Sequence, residues 1–185
     1  MSPSPKPPMK RLLAVVLLLV VLPAAGNAQG AEQDVLAVVH KLFDGMRQGD
    51  SAMVRPLFHD KARLITTLVR NGEPTVQVGE SVEPFIQAIG RPRNEVWDER
   101  LSNERVFVDG TLASVWTDYV FYRGTTLSHC GVDHFLLVKE GAQWKILEVA
   151  DTRRMQNCQP TGLGSTPGRG PTAQGGGAPG SRLPT

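Results

Sequence analysis

No stretch of this 185-residue chain is apolar for long enough to cross a membrane. The longest run, Leu12 to Leu22, has eleven residues and extends only about 16 Å as a helix, against roughly 30 Å of hydrocarbon. Lys10 and Arg11 precede it, and Gly26 and Ala28 supply small residues at positions −3 and −1 of a cleavage before Gln29. That pattern reads as a secretory signal over residues 1–28. The residue directly after the cleavage point is Gln29 and not a cysteine, which argues against lipid attachment at a mature N-terminal cysteine. The expected location is periplasmic or secreted, with no membrane contact after cleavage.

An excess of one charge is also missing. The signal carries Lys6, Lys10 and Arg11 and no acid, so its removal takes three bases from a chain of formal charge +2 and leaves −1. No basic stripe interleaved with aromatics survives, and a nucleic-acid partner is excluded on that ground. Gln159 to Thr185 lacks aromatics and has Leu as its only large aliphatic, with eight Gly and five Pro. Such a segment cannot offset its ordering entropy by burial, so residues 159–185 are expected to form a disordered tail. Nucleophile elbow, phosphate loop and dinucleotide fingerprint are all absent. No cofactor is called for, and His129, Asp133 and His134 lack the spacing of a metal-ligand motif.

The remaining segment, residues 29–158, has the size of one domain with a single core. Val35, Leu36, Val39, Leu42, Phe43 and Met46 mark one buried stripe of a helix over Glu32 to Gln48, with Gly49 just beyond it. Asp50 caps a shorter second helix containing Met53, Val54, Leu57 and Phe58. Ala62 to Val69 and Thr75 to Val78 alternate as strands around Asn71-Gly72, a strong hairpin turn. A third helix follows, with Val82, Phe85, Ile86 and Ile89 on its apolar face, ending at Gly90. Four long strands close the domain, at about Trp97 to Val108, Thr111 to Tyr122, Thr125 to Lys139 and Ala142 to Thr152. Asp109-Gly110, Arg123-Gly124 and Glu140-Gly141 punctuate them. The fold class is α+β: about three helices packed on a curved, mostly antiparallel sheet, in the order helix, helix, hairpin, helix, meander.

A two-residue turn at Arg123-Gly124 would set Asp118 opposite His129, Trp116 opposite Gly131 and Tyr122 opposite Thr125. In that register Trp116, Asp118, Tyr122, His129 and Asp133 share one face with Trp144, Ile146, Glu148 and Thr152. Val115, Tyr119, Phe121 and Val149 fall on the other face. A bulge in the third long strand would swap its half of the assignment. Asp118 and His129 could act as an acid–base pair or only brace two strands; Asp133 could add a carboxyl to that site or turn to solvent. Trp116 and Tyr122 could stack on a flat ligand or simply pack, with Glu148 at the same rim. His40 and His134 read as structural, and His59 as a cation near helix-end carbonyls.

Cys130 and Cys158 are the only cysteines, and an oxidising compartment favours their pairing. Cys130 falls beside Asp151 in the expected hairpin, close enough for the following residues to fold back. Such a bridge would contribute on the order of 3 kcal/mol by chain entropy.

The helix ending at Gly49-Asp50, the Phe58-His59-Asp60 segment and the closing Gly141-Ala-Gln-Trp-Lys-Ile146 resemble the nuclear-transport-factor-2-like superfamily, which includes SnoaL-like and ketosteroid-isomerase-like proteins. Val115-Trp116-Thr-Asp-Tyr119, Ser128-His-Cys-Gly-Val-Asp133 with Phe135, and Asp151-Thr-Arg-Arg154 are similar to the group called putative lumazine-binding. The resemblance spans about Asp34 to Arg154. It implies a cone-shaped fold with an open mouth and a small-molecule ligand as partner. It also leaves open a proton-transfer enzyme of isomerase or dehydratase type, with His129, Asp118 and Asp133 as catalytic groups, and a homodimer formed through the sheet.

Overall fold

The computed structural model describes residues 25–158, with side chains from residue 29. The expected tail lies outside the described residues, as does the expected signal apart from the backbone of residues 25–28. Helix α1 (Ala25–Gln48) buries Val35, Val39, Leu42, Phe43 and Met46, a stripe at the 3.6-residue period. The chain turns at Gly49 with φ +69°. Asp50 Oδ1 then accepts from Met53 N at 2.8 Å to start the four-residue α2 (Ser51–Val54), and a 3-10 turn (Arg55–Leu57) leads into the sheet. Helix α3 (Glu83–Gly90) buries Ile86 and Ile89.

Six strands form one sheet: β1 (Phe58–Arg70), β2 (Glu73–Val78), β3 (Trp97–Asp109), β4 (Leu112–Arg123), β5 (Thr126–Glu140) and β6 (Gln143–Arg153), in the spatial order β2-β1-β6-β5-β4-β3. Every neighbouring pair is antiparallel except β1 and β6, which run parallel. The helices cover the concave face, where Val115, Phe135, Leu137 and Ile146 are fully buried. Burial of each such side chain stabilises the fold by about 1.5–3 kcal/mol. This is the expected α+β order of helix, helix, hairpin, helix and meander.

The register departs from the expected one in a way that decides the site. The β4–β5 turn is Gly124-Thr125, one residue later than expected, with Arg123 opposite Thr126 and Gly124 at φ +60°. A glycine at the first central position is what a type II′ hairpin turn requires. That shift alone preserves the faces. The bulge does not: Tyr122 pairs with Leu127 but Phe121 pairs with His129, leaving Ser128 as an extra residue in β5. From there Thr117 faces Asp133 and Asp118 faces Val132. A second bulge leaves Leu147 extra in β6, since Leu137 pairs with Ile146 and Leu136 with Glu148. Each inserted residue exchanges the two faces beyond it.

Candidate functional site

The concave face encloses a cavity of about 130 Å³. Leu42, Phe43 and Met46 of α1, Phe85 of α3, and Leu64, Phe135 and Val149 of the sheet make its apolar wall. Its polar floor is assembled from five strands: Thr66 of β1, Glu99 of β3, Tyr119 of β4, His129 and Asp133 of β5, and Asp151 and Arg153 of β6. Three cross-strand rows build it. Glu99, Phe121 and His129 align in one, Leu101, Tyr119 and Gly131 in the next, and Thr117, Asp133, Asp151 and Thr66 in the third.

Gly131 sets the middle row. A Cβ there would overlap the Thr152 carbonyl oxygen and lie 2.8 Å from Tyr119 Cε1. Without it the tyrosine ring lies across β5, and its hydroxyl donates to Thr152 O at 3.0 Å with Asp151 Oδ2 at 3.3 Å. Asp151 also accepts from Thr66 Oγ1 and pairs with Arg153 at 3.3 Å. The single guanidinium in the cavity is therefore already matched to a carboxylate.

Asp133 is matched differently. It is 3 % exposed, and its Oδ2 is sealed from solvent with no hydrogen-bond partner among the described residues. The carboxyl that acts on it most strongly is Glu99, which lines the same cavity. Two carboxyls in one water-poor space each disfavour the other's ionisation. Burial pushes the Glu99 carboxyl up to about 7, with the Asp151 charge adding to the effect and the Asp133 hydrogen bond and Arg153 opposing it. Burial, followed by the charge and hydrogen bond of Glu99, raises Asp133 well above the usual carboxylate range. Both shifts run toward the protonated forms and belong to the two carboxyls jointly.

Burial lowers the His129 imidazole to about 4; Arg153 lowers it further, and Asp151 opposes the shift. The ring is neutral near pH 7, with Nδ1 3.0 Å from Ser128 Oγ, and it packs at a tilt 4.9 Å from the Phe121 ring and perpendicular to the Tyr119 ring at 5.7 Å. Burial, then the Asp151, Asp133 and Glu99 charges, push the Tyr119 hydroxyl further above its ordinary value. The floor thus offers a neutral imidazole, a phenol and two carboxyls pushed toward their protonated forms, beneath an apolar wall. No three His, Cys, Asp or Glu side chains among the described residues are disposed to hold a metal ion.

Of the residues singled out from the sequence, His129 and Asp133 meet in this cavity and four others do not. Asp118 is on the convex side, where its Oδ2 accepts from Asn103 Nδ2 at 2.7 Å rather than facing His129. Trp116 is 46 % exposed beside His134. Tyr122 lies under the Arg100 guanidinium, 4.5 Å from its ring centroid, and Glu148 pairs with Arg63 at 2.7 Å. The Ser128 bulge places Trp116 and Asp118 opposite the expected face relative to His129 and Asp133, and the Leu147 bulge turns Glu148 outward. Tyr119, assigned to the wrong face, is a floor residue. Glu99 and Asp151 were missed, although each had a signal: Trp97 and Leu101 flank Glu99, and Val149 precedes Asp151, at the two-residue spacing of an inward face. Cys130 and Cys158 form a disulfide with Cα atoms 5.6 Å apart. The pairing of Cys130 with Arg154 continues the β5–β6 ladder up to the bridge.

A family model described as putative lumazine-binding matches residues 30–150. No curated protein matches. Among solved structures, the beta subunit of a putative aromatic-ring-hydroxylating dioxygenase from Novosphingobium aromaticivorans superposes with a TM-score of 0.58 at 15% identity, covering 72% of this chain and 95% of that one. A putative dehydratase of the NTF2-like family from Streptomyces avermitilis gives 0.52 at 15% identity, covering 69% and 99%. An NTF2-like protein of unknown function from Shewanella baltica gives 0.51 at 17% identity, covering 68% and 95%. At these identities the structures testify to the shared fold.

Proposed function

Because the chain belongs to the putative lumazine-binding family, within the nuclear-transport-factor-2-like superfamily, we propose that it binds a small molecule in the cavity between α1, α3 and the concave sheet face. The observation that carries this reading is Asp133, a buried carboxyl whose Oδ2 has no hydrogen-bond partner among the described residues, on the floor of a chamber with an apolar wall. Buried polar groups are normally hydrogen-bonded, and leaving one unmatched costs about 1–3 kcal/mol. A ligand that reaches Asp133 recovers part of that cost. At about 130 Å³ the chamber suits a compact occupant, since a cavity of about 150 Å³ accepts a benzene ring.

Native mass spectrometry of gently purified protein tests the proposal. Wild type should carry a small molecule, Val149→Phe should lose it by filling the cavity, and Trp116→Ala on the convex side should keep it. Protein without any retained or captured molecule across a broad metabolite set would contradict the reading.

A neutral His129 that lines the same cavity as Glu99 and Asp133, both pushed toward their protonated forms, supports a second reading, proton transfer on the bound molecule, with His129 as base and Asp133 as acid. Asp118 has no part in it. His129→Ala should then stop turnover of an identified substrate with little change in melting temperature, whereas loss of folding would mark His129 as structural. The cleavage pattern of residues 1–28 and the Cys130–Cys158 bridge support an exported, oxidising location, which secretion of a full-length fusion would check. Exposed Phe107, Leu112 and Trp116 on the convex face support a homodimer through that surface, to be tested by sedimentation on dilution.

A further inference from the structure

The charges and rings around the cavity narrow the chemistry of its occupant. Three carboxyls reach the floor, Glu99, Asp133 and Asp151, against one guanidinium, Arg153, which Asp151 already holds at 3.3 Å. Four aromatic rings, Phe43, Phe85, Tyr119 and Phe135, line the same space. Aromatic faces are electronegative and attract cations, more strongly where water is excluded. Acceptors therefore outnumber free donors on the floor, and the walls favour positive charge.

Resting on the small-molecule reading above, we propose that the occupant is a compact planar ring with a cationic or N–H-donating edge, of amidine or amino-heterocycle type, seated with that edge on Glu99 and Asp133. A planar edge with two N–H groups matches the fork of carboxyl oxygens, as a guanidinium does at a carboxylate. An anionic ligand meets the opposite situation. It adds a charge beside Glu99, Asp133 and Asp151 at a site of low dielectric, and Arg153 can serve it only by leaving Asp151. A ring of one-benzene size fits the volume, and its face would lie among the four aromatic side chains.

Titration calorimetry of the full chain with benzamidine, benzamide and benzoate tests this with three probes of one shape and different edge charge. Benzamidine should bind most tightly, benzamide about tenfold or more weaker, and benzoate without measurable heat. Glu99→Gln should reduce benzamidine affinity about tenfold or more while moving benzamide by no more than about threefold. Glu148→Gln, on the convex face, should change neither. Benzoate binding as tightly as benzamidine overturns the proposal, as does benzamidine affinity indifferent to Glu99→Gln in folded protein. The three wild-type titrations decide the matter even if the variant does not fold. Failure of every probe to bind stripped protein that still takes back its own molecule sinks the inference and spares the binding reading; absence of any bound molecule sinks both.

Discussion

Asn103 and Asp118 are joined across the convex side of the sheet, Nδ2 to Oδ2, at 2.7 Å. Asn103 has φ +56° and sits where the β3–β4 register shifts, between Ser102 and Arg105. The carboxylate thus holds a left-handed residue at the bulge that bends β3, while Thr117 Oγ1 donates to Ser102 O at 3.0 Å from the inner side. Asn103→Ala loses both the hydrogen bond and the tolerance of Asn for this conformation, and should cost about 1–2 kcal/mol. Asn103→Gly, free of the steric penalty, should cost less. Urea unfolding of the two variants checks the order; an equal cost would mean that the positive φ is not under strain.

Gly131→Ala should be the more severe change. The new methyl overlaps the Thr152 carbonyl oxygen and crowds the Tyr119 ring, so β5 and β6 must part or the ring must leave. A loss of about 1–3 kcal/mol is expected from overpacking, with a further penalty if Tyr119 gives up its bond to Thr152. A melting temperature equal to wild type would show that the close approach is relaxed in solution.

Two floor groups give the stability opposite slopes with pH. Glu99 titrates at an ordinary 4.5 when unfolded and at about 7 when folded, so its unfavourable contribution is absent below about pH 4.5, grows as pH rises, and is complete above 7. His129 moves from 6.5 to about 4. Its contribution is intact above 6.5 and is lost as pH falls toward 4. The groups that face Glu99 are Asp133 of β5, Tyr119 of β4, Asp151 and Arg153 of β6, and from α1 His40 and Arg47, the latter donating to the Glu99 carbonyl. Glu99→Gln should therefore raise the melting temperature near pH 8 and converge on wild type near pH 4.5. A shift of the same size at both ends would contradict the assignment.

The Cys130–Cys158 bridge spans 28 residues and should contribute about 3–4 kcal/mol by chain entropy. Reductant should lower the wild-type melting temperature, and the double variant Cys130→Ser, Cys158→Ser should melt lower and ignore reductant. Equal melting of wild type with and without reductant would mean that the bridge does not form in solution.

Helices and turns were legible because their causes are local. The 3.6-residue stripe from Val35 to Met46 and the turn Asn71-Gly72 depend on neighbours in sequence, as does the alternation of the long strands. Facing was not legible, because one inserted residue at Ser128 and another at Leu147 exchanged the sides beyond them, and neither residue type marks a bulge. The parallel pairing of β1 with β6 joins residues about 85 apart, such as Arg63 and Glu148, and leaves no local pattern. Glu99 shows the same limit: an acid between Trp97 and Leu101 hints at an inward carboxyl, but its partner Asp133 is visible only once β3, β4 and β5 are laid side by side.

The location of the binding site is tested most directly by amide chemical-shift mapping of the protein as its retained molecule, identified by mass, is titrated back onto the stripped form. Shifts concentrated at Glu99, Tyr119, His129, Asp133 and Asp151 are the predicted result. Shifts concentrated at Trp116, Asp118, Tyr122 and Glu148, with the concave residues unmoved, would contradict it.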